Sequence, residues 1–112
     1  MPQTPKSKQY DLEQRTYIFA KDCRAYVKQL PITTQSIQDG KQLVRSSGSV
    51  AANYIEANEA LSKKDFAMRI KISKKETKES ILWLRLLQAN DSLLQEATEL
   101  MKIFGAIIEK TK

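Results

Sequence analysis

After Pro5 the chain carries a single proline, Pro31, and only three glycines, Gly40, Gly48 and Gly105. These residues end helices and shape tight turns, so a sequence this poor in them is held to long helices rather than many short strands. The apolar spacing agrees. Leu12, Phe19, Cys23, Tyr26 and Leu30 recur at helical intervals and predict a first helix from about Asp11 to Leu30. Pro31 ends it, because the residue before a proline is pushed out of the helical region. Thr33 or Thr34 can cap a second helix reaching about Ala60. Its main stripe is Ile37, Val44, Ser47, Ala51 and Tyr54, with Leu43, Val50 and Ala57 on a second face. Gly40 and Gly48 each weaken this helix by about 1 kcal/mol relative to alanine.

Ser62-Lys63-Lys64-Asp65 has the form of a capping box, in which serine accepts a backbone N–H and the acid reaches back. It opens a third helix whose inner face is Phe66, Ile70, Ser73, Thr77, Ile81, Leu84 and Leu87. Asn90-Asp91-Ser92 stops that helix. Ser92-Leu93-Leu94-Gln95 is a second capping-box candidate, and Leu94, Ala97, Leu100, Met101, Phe104, Ile107 and Ile108 form the last stripe. Helices of about twenty residues joined by short turns lie antiparallel to their neighbours. The expected fold is all-α, an up-down antiparallel four-helix bundle over residues 11–112, behind a disordered tail over residues 1–10.

Composition narrows the function. With no histidine and one cysteine there is no Cys/His pair, no Ser/His triad and no zinc set. No Glu-x-x-His pair suits a di-iron bundle, and no Gly-Lys-Ser/Thr ending completes a phosphate-cradling loop. Glu76 and Glu79 stand among lysines and read as local charge balance. A non-enzymatic protein without metal or cofactor is expected. The lone Cys23 suits a reducing compartment. The N-terminal stretch lacks the apolar segment of a signal peptide, and no run is long enough to span a membrane, so the expected location is cytoplasmic with no membrane partner.

The formal charge of +6 is concentrated. Between Leu61 and Arg85 stand Lys63, Lys64, Arg69, Lys71, Lys74, Lys75, Lys78 and Arg85 against Asp65, Glu76 and Glu79, a net +5. Lys71, Lys74, Lys75 and Lys78 share one helical face. Such a strip is a footprint for phosphate-rich partners, or a solvated face that keeps a small protein in solution. The slim run Ser46-Ser47-Gly48-Ser49-Val50-Ala51-Ala52 lets a neighbouring backbone approach closely, in the same chain or another copy. Asn53 and Glu56 suggest a buried polar network linking Asn53 to the loop at Ser62. Glu79 and Trp83 share a second, partly apolar face with Ile72 and Glu76, fit either for contact with another surface or for a partly exposed indole.

The stretch Gln42 to Ala60, then Ser62, Lys64-Asp65-Phe66, Arg69-Ile70-Lys71-Ile72 and Lys75-Glu76-Thr77-Lys78-Glu79-Ser80, resembles the four-helix-bundle proteins encoded in 23S rRNA intervening sequences of bacteria. The similarity is strongest from Gln35 to Leu87. The family's motif falls on Arg45, Ser49, Asn53, Glu56, Ser62, Asp65, Phe66 and Glu79. Ala57-Asn58 and Lys75-Glu76 depart from it, standing where many relatives carry a glycine and a Gly-Ser pair. The resemblance implies a homo-oligomeric ring, typically a homopentamer with a central channel, and no enzymatic activity. A related branch serves diversity-generating retroelements as an accessory protein that binds nucleic acid and the reverse transcriptase. Five copies of a +6 chain would carry about +30, a field that favours sequence-independent phosphate binding. The function expected is therefore an oligomeric basic protein that binds RNA or DNA through its lysine-rich helix. The alternative is an interaction scaffold whose basic face docks an acidic protein, such as a retroelement reverse transcriptase.

Overall fold

The structure, a computed structural model, describes the backbone from Thr4 to Lys112 and the side chains from Leu12 onward. It contains four helices: α1 (Thr4–Lys28), α2 (Thr34–Asn58), α3 (Lys63–Leu86) and α4 (Asp91–Lys110). Among the described residues there is no strand. The expected tail falls partly on residues 1–3, outside the described residues, and the first helix starts at Thr4 instead of Asp11. It ends at Lys28, two residues short of Leu30.

Each later helix is opened by a side-chain cap, worth about 1 kcal/mol apiece. Thr33 accepts from the Ser36 N–H while the Ser36 hydroxyl accepts from the Thr33 N–H, a reciprocal box. Ser62 accepts from the Asp65 N–H at 3.0 Å, but the return bond expected from the Asp65 carboxylate is not made. The fourth helix is capped by Asn90, whose Oδ1 accepts from the Leu93 N–H at 2.9 Å, not by Ser92. The third helix likewise stops earlier than Asn90. Gln88 takes a left-handed φ of 58°, and the N–H groups of Gln88 and Ala89 donate to the carbonyls of Arg85 and Leu84. That reversal satisfies the last carbonyls of α3, and it uses glutamine where glycine is the usual occupant.

The second and third helices run antiparallel. Arg45 faces Glu79 while Asn53 faces Arg69, so numbers rise along α2 as they fall along α3. The α2–α3 seam is the most extensive, α3 also packs broadly on α4, and α1 meets α4 only narrowly. Phe19, Cys23, Leu43, Val50, Tyr54, Ile70, Leu84, Ala97, Leu100 and Phe104 form the core. The inward face of α2 carries Leu43, Ser46, Val50 and Ala57 together with Ser47 and Tyr54 of the expected main stripe; Ile37, also placed on that stripe by periodicity, is 44% exposed. The slim run packs within its own chain. The Ser46 and Ser80 hydroxyls meet at 2.7 Å, and Ser73 donates to the Val50 carbonyl at 3.0 Å, all fully buried. On the other flank the Arg24 guanidinium lies over Gly48, and a methyl at Gly40 would meet Val27 Cγ1 at 2.9 Å. Both glycines therefore trade helix propensity for a close α1–α2 approach.

Candidate nucleic-acid interface

The basic residues of α3 divide by direction. Ile70, Ser73, Thr77 and Leu84 turn into the core, and at 100° per residue Lys64, Lys71 and Lys75 fall on the opposite side, with Lys78 and Arg85 on its flank. All five are exposed, as is Lys63. Lys74 is half-buried, its stem leaning over α4 so that a methyl at Gly105 would lie 3.6 Å from Nζ. Lys71, Lys74, Lys75 and Lys78 line one open hollow together with Glu79 and Leu82. From Lys64 to Arg85 the array extends roughly 32 Å at about 1.5 Å per residue. None of these seven cations is in an ion pair among the described residues.

Arg69 does not belong to that array. It points toward α2, where Nη1 donates to Asn53 Oδ1 at 3.0 Å. Asn53 in turn donates to the carbonyl and hydroxyl oxygens of Ser49 at 3.0 and 3.1 Å. The expected Asn53 network exists, but its partner is Arg69 and not the loop at Ser62. The Glu56 side chain is exposed and takes no part in the Asn53 network.

The acids of α3 are also differently employed from the expectation of local charge balance. Arg45 reaches across from α2 with Nη1 3.3 Å from Glu76 Oε1 and Nη2 2.7 Å from Glu79 Oε1. Glu76 is largely buried, so the fork is anchored on an acid that needs it. Of the eight motif positions, Arg45 and Glu79 make one group and Ser49 and Asn53 another. Ser62 serves as a cap, Asp65 supplies the N–H that this cap receives, and Phe66 packs against the core. Periodicity along one helix cannot show the pairings of Arg69 with Asn53 or of Arg45 with Glu76 and Glu79, which join residues sixteen or more apart. The carboxylates at i and i+3 on a basic helix were the available signal.

Trp83 is half-buried, its ring packed against the core, with Nε1 buried and unpartnered among the described residues. Cys23 is fully buried, and burial pushes its thiol up to about 12, so it is no nucleophile at neutral pH. Among the described residues no group of His, Cys, Asp or Glu is placed to hold a metal ion, and no helix is long and apolar enough to cross a membrane. What the site offers chemically is a row of cations about an open hollow whose lining includes no aromatic ring on which a base could stack.

A family model described as "23S rRNA-intervening sequence protein" matches residues 8–110. Among solved structures, a protein of unknown function from the S23 ribosomal protein family of Bacteroides thetaiotaomicron superposes with a TM-score of 0.75. The two are 28% identical, over 87% of this chain and 97% of that one. No protein of curated function matches the chain.

Proposed function

Because this chain belongs to the 23S rRNA-intervening sequence protein family, we propose that it is a non-catalytic basic protein that binds nucleic acid, RNA first, along the outward face of α3. One observation carries this reading: seven cations on the outward face and flanks of α3 are in no ion pair among the described residues, while two of the helix's own acids are engaged by Arg45 from another helix. A face meant only for solubility would spend its acids on its lysines at i and i+4 spacing. Contacts from amines alone address phosphates and not base edges, so binding is sequence-independent and falls steeply with salt.

Assembly is part of the proposal. Copies of the chain form a ring, five being the number implied by the family resemblance, and the repeated α3 faces sum their fields. Exposed Tyr17 and Ile18 on α1 and Ile55 on α2, on helices other than α3, supply apolar surface for such contacts. Native mass spectrometry at low salt, with and without nuclease, reports protomer number and bound polynucleotide together; a bare monomer in both conditions overturns the proposal. Neutralising Lys71, Lys74 and Lys75 together as glutamines is expected to lower the slope of log affinity against log salt by about 2.7 per binding face, at 0.9 for each lost phosphate contact with a duplex. Unchanged binding by this triple variant would remove α3 as the interface.

A further inference from the structure

Resting on the reading that the α3 lysines meet phosphates, we propose that Arg45 is a positioning residue that keeps those lysines available by holding Glu79 away from them. The hollow bounded by Lys71, Lys74, Lys75 and Lys78 contains one acid, Glu79. Glu79 lies four residues after Lys75 and next to Lys78, so a pair with Lys75 is within helical reach. Its carboxylate instead accepts from Arg45 Nη2 at 2.7 Å, and none of the four lysines contacts it within ion-pair distance.

The geometry explains why arginine performs this task. The guanidinium presents separate nitrogens in a planar fork, so Nη1 anchors on the largely buried Glu76 while Nη2 takes Glu79. A lysine ammonium is a single point charge and cannot address both acids in this way. Arg45 is thereby occupied by two carboxylates and does not itself compete for phosphate. Without it, Glu79 is free to turn to Lys75 or Lys78 and place an anion where the ligand's phosphate must sit. Arg45 thus acts on the ligand only through Glu79.

The test is a mutant cycle read by fluorescence anisotropy with a labelled mixed-sequence RNA at low salt. Glu79→Gln in the native background is expected to leave affinity within about twofold, because that charge is already engaged. Arg45→Gln is expected to weaken binding about fivefold, the factor that corresponds to one unit charge acting at about 4 Å in water. Adding Glu79→Gln to Arg45→Gln restores affinity. Adding Asp22→Asn, an equal change in net charge on exposed α1, does not. A fivefold gain from Glu79→Gln in the native background, or equal rescue by Asp22→Asn, overturns the role of Arg45. The Glu79→Gln arm decides the matter even if Arg45→Gln fails to fold over the buried Glu76. If the native protein binds no RNA or DNA at all, the phosphate-binding reading itself falls, an outcome separable from equal rescue.

Discussion

Two arginines bridge this bundle in the same manner, and the seams beneath them are unlike. Arg45 spans from α2 to Glu76 and Glu79, three apart on α3; Arg15 spans from α1 to Glu96 and Glu99, three apart on α4, at 2.8 and 3.0 Å. Under Arg45 the helices are already closed by buried hydroxyls and slim side chains. Under Arg15 there is an open hollow lined by Ile18, Phe19, Asp22 and Leu93, and α1 barely touches α4. One clamp therefore sits on a seam that packing has settled, which leaves its charge free for another duty. The other is itself a principal tie between two helices. The ionisation of the Arg15 group shows the mutual hold: Glu96 above all raises the arginine, while Gln95 and then Arg15 hold the Glu99 carboxyl below its ordinary range.

The sharpest way to break the contrast is to spoil the settled seam. Ser46→Leu forces a large side chain between α2 and α3 where Ser46 and Ser80 are fully buried, and urea unfolding is expected to register a loss of about 3 kcal/mol. A loss below about 1 kcal/mol would mean that the seam can yield. The next effect is one of pH and concerns how α1 is held. Cys23 is an acid whose folded pKa is raised, from 9.0 to about 12, by burial. The thiol's contribution is intact below pH 9 and is lost as pH climbs from about 9 toward 12, by about 1.4 kcal/mol for each unit. Burial also raises Tyr26 and Tyr54, which adds loss of the same sign in strong alkali. Stability measured from pH 8 to 10 should therefore fall, and Cys23→Ala should flatten the fall. The smallest effect is expected at the open seam. Arg15→Ala removes a partly exposed fork worth about 1 kcal/mol or less, and hydrogen exchange should quicken in α1 before α2 or α3. Equal quickening in all four helices would show that α1 is not the loosely held element.

Much of this architecture is legible in the sequence, because apolar spacing and scarce breakers are one-dimensional signals. The number of helices and the core positions Phe19, Cys23, Ile70, Leu84 and Phe104 follow from them, while capping hydroxyls mark the starts at Ser62 and at Thr33, one of two candidates there. The misplacements have physical causes. Ser92 offers a capping hydroxyl, but the left-handed turn at Gln88 ends α3 early and brings Asn90 into the cap position first. Ile37 fits the period of α2 yet lies at an open hollow with Val27 and Pro31, since the close approach at Gly40 turns the deeper face toward Leu43. The basic strip was readable as a face. The departure of Arg69 from it, and the capture of Glu76 and Glu79 by Arg45, depend on which helix lies alongside, and no spacing within one helix encodes that.

The helix that carries the cations is gripped on both flanks, by α2 along its longest seam and by α4 on the other side. A polyanion bound there, as proposed, would meet a surface already held by two neighbouring helices, with the lysine side chains left to lose freedom. On the proposed function, encounter and not rearrangement would set the rate of capture, which would make ionic strength the principal control on it.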